Sequence, residues 1–102
     1  NLDLANAATN WTGRDGEKNY IKYYNDATKP ERFPKEYLES DEGKSIFTES
    51  MIPFLGSNKL KKAAPRQAFK SAYFSASREG IIGPQRDAMA TAAAIRVAMG
   101  EN

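Results

Sequence analysis

The chain has 102 residues, 40% of them hydrophobic and 27% charged, with a net charge of +2. That suffices for one modest core, is too apolar for a disordered chain, and falls short of the one-sided excess of a dedicated nucleic-acid binder. Cysteine and histidine are both absent, which excludes disulfides, thiolate nucleophiles, structural zinc, iron–sulfur ligation and imidazole catalysis.

Residues 2–11 place Leu4, Ala8 and Trp11 on one side and predict a short helix. Residues 1–16 then form a loosely attached segment of a single helical domain spanning 1–102. The chain begins on Asn1, as removal of a targeting segment or trimming would leave it. Residues 12–16 read as a turn on Gly13 and Gly16. From 17 to 27, Tyr20, Tyr24 and Ala27 fit a helix. The aromatic content would also suit a strand, but no second strand candidate exists to pair with it. Pro30 and Pro34 make 28–34 an extended connection, and one turn forms around Tyr37 and Leu38. A third substantial helix starts at Ser40 or Asp41, whose side-chain oxygen can cap it, and lines up Phe47, Met51, Phe54 and Leu55. Pro53 should kink or stop it near Ile52, with Gly56 ending the element. Residues 57–64 read as a short basic connector.

Two further segments, 65–80 and 84–100, each open on proline and close on glycine, the order in which helices start and stop. Phe69, Ala72, Tyr73 and Ala76 make one apolar stripe, and Ala88, Ala92, Ile95 and Met99 another. The short spacer between them predicts an antiparallel helical hairpin, its end plugged by Ile81 and Ile82. No apolar run approaches the ~20 residues that cross a bilayer. The expected fold is all-α, a bundle of four or five short helices. Its core draws on Trp11, Tyr20, Tyr24, Phe47, Met51, Phe54, Leu55, Phe69, Tyr73, Ile82, Ile95 and Met99.

Candidate sites are few. Lys59, Lys61, Lys62, Arg66, Lys70 and Arg78 crowd one stretch, after an acidic one holding Glu36, Glu39, Asp41, Glu42 and Glu49. The plain reading is a solvated helix face and connector. The functional ones are a docking patch for a protein partner or, less favoured, a nucleic-acid surface on 59–70. Tyr20, Tyr23 and Tyr24 alternate with Lys18 and Lys22 as a stacking platform would. Their i, i+4 spacing fits core packing better, with Tyr23 at the rim, available to a partner. Residues 80–83 could hold a phosphate at a helix start, but they lack the Gly-Lys-Ser/Thr ending and the preceding strand of a nucleotide loop. Asn10-Trp11-Thr12 matches the glycosylation acceptor pattern. The alanines of 88–94 suit close helix approach, either to a partner subunit or within the domain's own core. Carboxylates, lysines, serines and tyrosines form no spacing that predicts an acid/base pair or an activated nucleophile. The chain is therefore expected to be no enzyme and to take no metal or cofactor.

The two C-terminal helices, the Tyr20–Tyr24 aromatics and the lysines at 59–62, in a chain without cysteine or histidine, resemble the PsbQ-type small extrinsic subunits of algal photosystem II. The helices are shorter than those of a long up-and-down bundle, and Pro30, Pro34 and Pro53 break up the middle. The resemblance implies a non-catalytic accessory subunit, peripheral to a photosynthetic membrane complex in the thylakoid lumen or another organelle compartment. Such a subunit docks on membrane-intrinsic proteins and has no membrane span of its own.

Overall fold

The computed structural model describes residues 11–100. Five α-helices lie among them: α1 (Gly16–Ala27), α2 (Lys35–Leu38), α3 (Asp41–Ile46), α4 (Ala63–Arg78) and α5 (Gly83–Gly100). Short 3-10 turns at Pro30–Arg32, Ile52–Phe54 and Asn58–Lys61 link them, and no strand occurs among the described residues. The all-α expectation holds. The expected helix over 2–11 lies outside the described residues apart from Trp11, which occupies a turn.

The hairpin is the axis of the fold. α4 ends as its sequence requires. Gly80 adopts φ +83°, its N–H donates to the Ser77 carbonyl at 3.0 Å, and the Ile81 N–H donates to the Ala76 carbonyl at 2.9 Å. This is the paired C-terminal cap that a left-handed glycine makes possible. α5 returns through the middle of the molecule. Ala88 and Ala92 face one side of it and Ala90 and Ala94 the other, and all are fully buried. The alanines thus serve the domain's own core: α4 lies along one flank, α3 along another, and the Asn58–Lys61 turn touches both hairpin helices.

Rings close the space between α1 and α4. Trp11 lies 4.8–5.4 Å, centroid to centroid, from Tyr20, Tyr23, Tyr73 and Phe74, and the Phe69 ring meets Tyr24 edge-on at 5.2 Å. A second, smaller group joins Phe33 to Phe47 at 5.2 Å. The Thr91 hydroxyl donates to the Ala27 carbonyl at 3.2 Å and fixes the end of α1 on α5.

Several local expectations need correction. The third helix does not run on to Gly56. It stops at Ile46, because Phe47 turns extended to bury its ring, and the exposed Thr48, Glu49 and Ser50 carry the chain round. Pro53 falls in the Ile52–Phe54 turn, where its missing N–H is harmless. The connection over 28–34 is not wholly extended, since it contains the Pro30–Arg32 turn. The basic connector holds its own 3-10 turn, and α4 starts at Ala63, ahead of Pro65. Ile82 does not plug the hairpin: it is 70% exposed, and Met99 is 39% exposed. Phe54 is only half-buried. Phe33, Leu60 and Thr91 take core places that periodicity did not assign.

Ser40 caps α3 as expected, accepting from the Gly43 N–H at 3.1 Å. Gly43 itself has no room for a side chain, because an added Cβ would fall 2.0 Å from the Tyr37 carbonyl oxygen and 2.9 Å from Leu38 Cα. Gly43→Ala is expected to cost more than about 2 kcal/mol, since backbone on both sides must move. Gly80→Ala, with open space around it and only the left-handed backbone to oppose it, should cost about 1–2 kcal/mol. Urea unfolding midpoints followed by circular dichroism measure both.

Candidate functional site

The basic stretch is held in place by α1. Tyr20 and Tyr24 sit one helical turn apart, so both rings point into the core and both hydroxyls emerge beneath 59–70. The Tyr20 hydroxyl donates to the Arg66 carbonyl and the Tyr24 hydroxyl to the Leu60 carbonyl. Leu60 is buried between them and α5. Burial pushes the Tyr24 phenol up to about 12 and raises Tyr20 further, as it takes each charged form out of water.

On this pinned backbone the cations are displayed in two ways. Some fold back on the protein: Lys70 Nζ stands 4.5 Å above the Tyr20 ring, Lys59 Nζ stands 5.6 Å from the Phe54 ring, and Arg66 Nη1 donates to the Lys61 carbonyl at 2.6 Å. Lys61, Lys62 and Arg78 are exposed. Ion pairs among the described residues join Lys29 to Asp26, Arg32 to Asp87 and Lys35 to Glu39, and none involves the basic stretch. Lys62 occupies the N-cap of α4 without a capping side chain, and the first turn holds no acid. Lys61, Lys62 and Arg66 thus crowd the positive end of a helix dipole, an arrangement that opposes stability by about 0.3–1 kcal/mol per charge. A hollow of about 280 Å³ opens beside them between Glu17, Arg66 and Lys70.

Tyr23 belongs elsewhere. Its hydroxyl donates to Asp87 Oδ1 at 2.6 Å, while Arg32 Nη2 donates to Asp87 Oδ2 at 2.5 Å. Asp87 is 4% exposed, so this carboxylate is a buried charge. Burial first, then the hydrogen bond to Asp87, drives the Tyr23 phenol far above its ordinary range. For Arg32, burial works against the charge, but the bond to Asp87 and the attraction of its carboxylate prevail and raise it. Phe33 and Pro84 wall a cleft of about 450 Å³ here, with the Arg86 guanidinium 4.4 Å over the Tyr73 ring. With a donor on each carboxylate oxygen, the group works as a brace that ties α1 and the Pro30–Arg32 turn to α5. Sequence reasoning singled out neither Arg32 nor Asp87. The signal was an acid inside an alanine-rich helix, where a charge needs a partner.

Along this basic ledge of 59–70, Lys61 and Lys62 are exposed, Lys59 lies towards the Phe54 ring, and Arg66 and Lys70 line one hollow, while Tyr23 is drawn away into the brace. The glycines of 80–83 serve the hairpin turn, with Gly80 and Gly83 both at positive φ. Among the described residues no cluster of acids could hold a metal ion, and no helix is long and apolar enough to cross a membrane. Comparison with protein-family models, with curated proteins and with solved structures finds no match.

Tyr24→Phe should cost about 1–3 kcal/mol, because the Leu60 carbonyl loses its donor in a buried setting. The effect reads as a lowered urea midpoint. The raised phenols set a pH limit as well. The folded state holds the Tyr24 proton up to about 12, while an unfolded chain releases it near 10. The unfolded state therefore binds fewer protons as pH rises through that window, and stability falls. Thermal melts should show no pH dependence from these phenols below pH 10, where their contribution is fully present, and a steep loss above it, with tyrosinate absorbance appearing together with unfolding.

Proposed function

We propose that the chain is a non-catalytic accessory subunit that attaches to a larger protein assembly through its basic ledge. The observation that carries this reading is the stretch 59–78. Its cations make no ion pair among the described residues, on a backbone pinned by two buried tyrosine hydroxyls. Cations gathered at the positive end of α4 oppose its stability, and an acidic partner relieves that repulsion on binding. A pinned surface also loses little conformational freedom when it docks. The Asp87 brace supports the non-catalytic reading, since its charged and phenolic groups hold one another. An extrinsic subunit of a photosynthetic membrane complex is the finer form of the proposal, and its support is the sequence resemblance alone.

The test is migration on a native gel. From its source tissue the chain should travel with a large assembly at low ionic strength. A wash at ~1 M salt, where charges are screened beyond ~3 Å, should release it. Lys59→Glu, Lys61→Glu and Lys62→Glu together should abolish co-migration without lowering the thermal melt, since acids at the start of α4 suit its dipole. Migration alone at every salt concentration would end the reading. Retention on DNA at ~0.05 M salt that is lost by ~0.2 M would replace it with a nucleic-acid module.

A further inference from the structure

The outward side of α4 carries a pattern that the ledge alone does not explain. At 3.6 residues per turn, Lys70, Phe74 and Arg78 form one ridge, and Gln67, Ser71 and Ser75 a lower row beside it. Together they enclose a shallow hollow of about 750 Å³ that runs along the helix. Arg66 extends the ridge by one turn into the neighbouring hollow. Successive members of the ridge are four residues apart, a rise of about 6 Å. Arg66, Lys70 and Arg78 all lack an ion pair among the described residues. The half-buried Phe74 sits between Lys70 and Arg78.

We infer that this face of α4 docks an acidic, amphipathic helix of a partner protein. The inference rests on the accessory-subunit reading and names the chemistry of the partner. A helix is the fitting occupant because a ridge flanking a lower row is what two packed helices interdigitate. Acids spaced four and then eight residues apart on the partner match the cations they meet, which lie about 6 Å apart from Arg66 to Lys70 and about 12 Å apart from Lys70 to Arg78. An apolar residue between them covers Phe74. Charge complementarity selects an acidic partner, and the surroundings select a protein over a polyanionic strand. Acids bracket the ridge, with Glu17 lining the hollow beside Arg66 and Glu79 following Arg78. A helix with acids at chosen places only can set a neutral residue against each of these, whereas a polyanion with a charge on every unit cannot. The tyrosine rings that could stack on bases are buried, Tyr20 at 1% exposure and Tyr24 at 0%.

The probe is a synthetic helical peptide whose row at four-residue spacing holds two glutamates, a leucine opposite Phe74 and a third glutamate, titrated into the labelled protein and followed by amide NMR shifts. The shifts should concentrate at 66–78, and a shuffled peptide of equal composition should bind about tenfold more weakly. Lys70→Glu with Arg78→Glu should weaken binding by about tenfold or more. Ser71→Tyr, which fills the lower row without changing charge, should weaken it similarly, with the thermal melt of each variant as the folding control. Shifts centred off α4, equal binding of the two peptides, or displacement of the peptide by a lower concentration of single-stranded oligothymidylate would overturn the inference. The native gel separates the two proposals. If wild type co-migrates with its assembly and Ser71→Tyr does so equally, the α4 face is wrong and the accessory reading stands. If wild type never co-migrates, the accessory reading fails whatever the peptide does.

Discussion

Two phenolic hydroxyls decide the shape of the surface on which the functional reading rests. Tyr20 and Tyr24 each bury a full ring, and their oxygens end at the Arg66 and Leu60 carbonyls. Without Tyr24 the buried Leu60 carbonyl would have to find water or move, whereas the Arg66 carbonyl, inside α4, takes Tyr20 as a second donor beside its helical one. The same side chains thus fill the space between α1 and α4, satisfy the backbone of the following turn, and set the height at which Lys59 to Lys70 stand. Lys70 closes the loop by resting its amine on the Tyr20 ring. Packing, hydrogen bonding and charge display belong here to one structural unit.

The second constraint is the calibre of α5. A helix buried on most sides must be thin for its neighbours to reach it, and alanine at 88, 90, 92 and 94 makes it so. Larger side chains there would push α3 and α4 outward and open the rings around Trp11. The charged exceptions at its start, Arg86 and Asp87, are accommodated because each has polar or aromatic groups against it. The brace carries a wider lesson. Its partners are 55 and 64 residues from Asp87 in sequence, so it joins the Tyr20, Tyr24 and Thr91 hydrogen bonds in adding long-range specificity to an apolar core.

Much of the architecture was legible because it follows from local rules. Proline and glycine at the ends of the hairpin helices, the Tyr20/Tyr24 and Phe69/Tyr73 spacings, and the Ser40 cap are each readable within a few residues. The middle was harder to read. From Phe47 to Leu55 the apolar residues repeat at near-helical intervals, but the chain makes an extended step and a 3-10 turn because separate pockets await Phe47 and Met51. Helical spacing is necessary for a helix and does not suffice for one. Ile82 shows the converse, an apolar residue whose turn leaves it nothing to lie against. At the candidate site, clustering of the basic residues was legible, since they are near in sequence. The tyrosine anchors beneath them and the departure of Tyr23 to Asp87 were not, because both depend on pairings across the fold.

The tight approach at Gly43 has a bearing on how this chain tolerates changes of length. Between α2 and α3 the backbone of one turn rests on the other with no space for even a methyl group, so an inserted residue at 39–43 has nowhere to go. A few positions on, Thr48, Glu49 and Ser50 all face solvent and bond chiefly to one another and to Met51. Natural length variants, and any epitope or fluorophore graft, belong at 48–50, where extra chain can loop outward and leave the buried turns undisturbed.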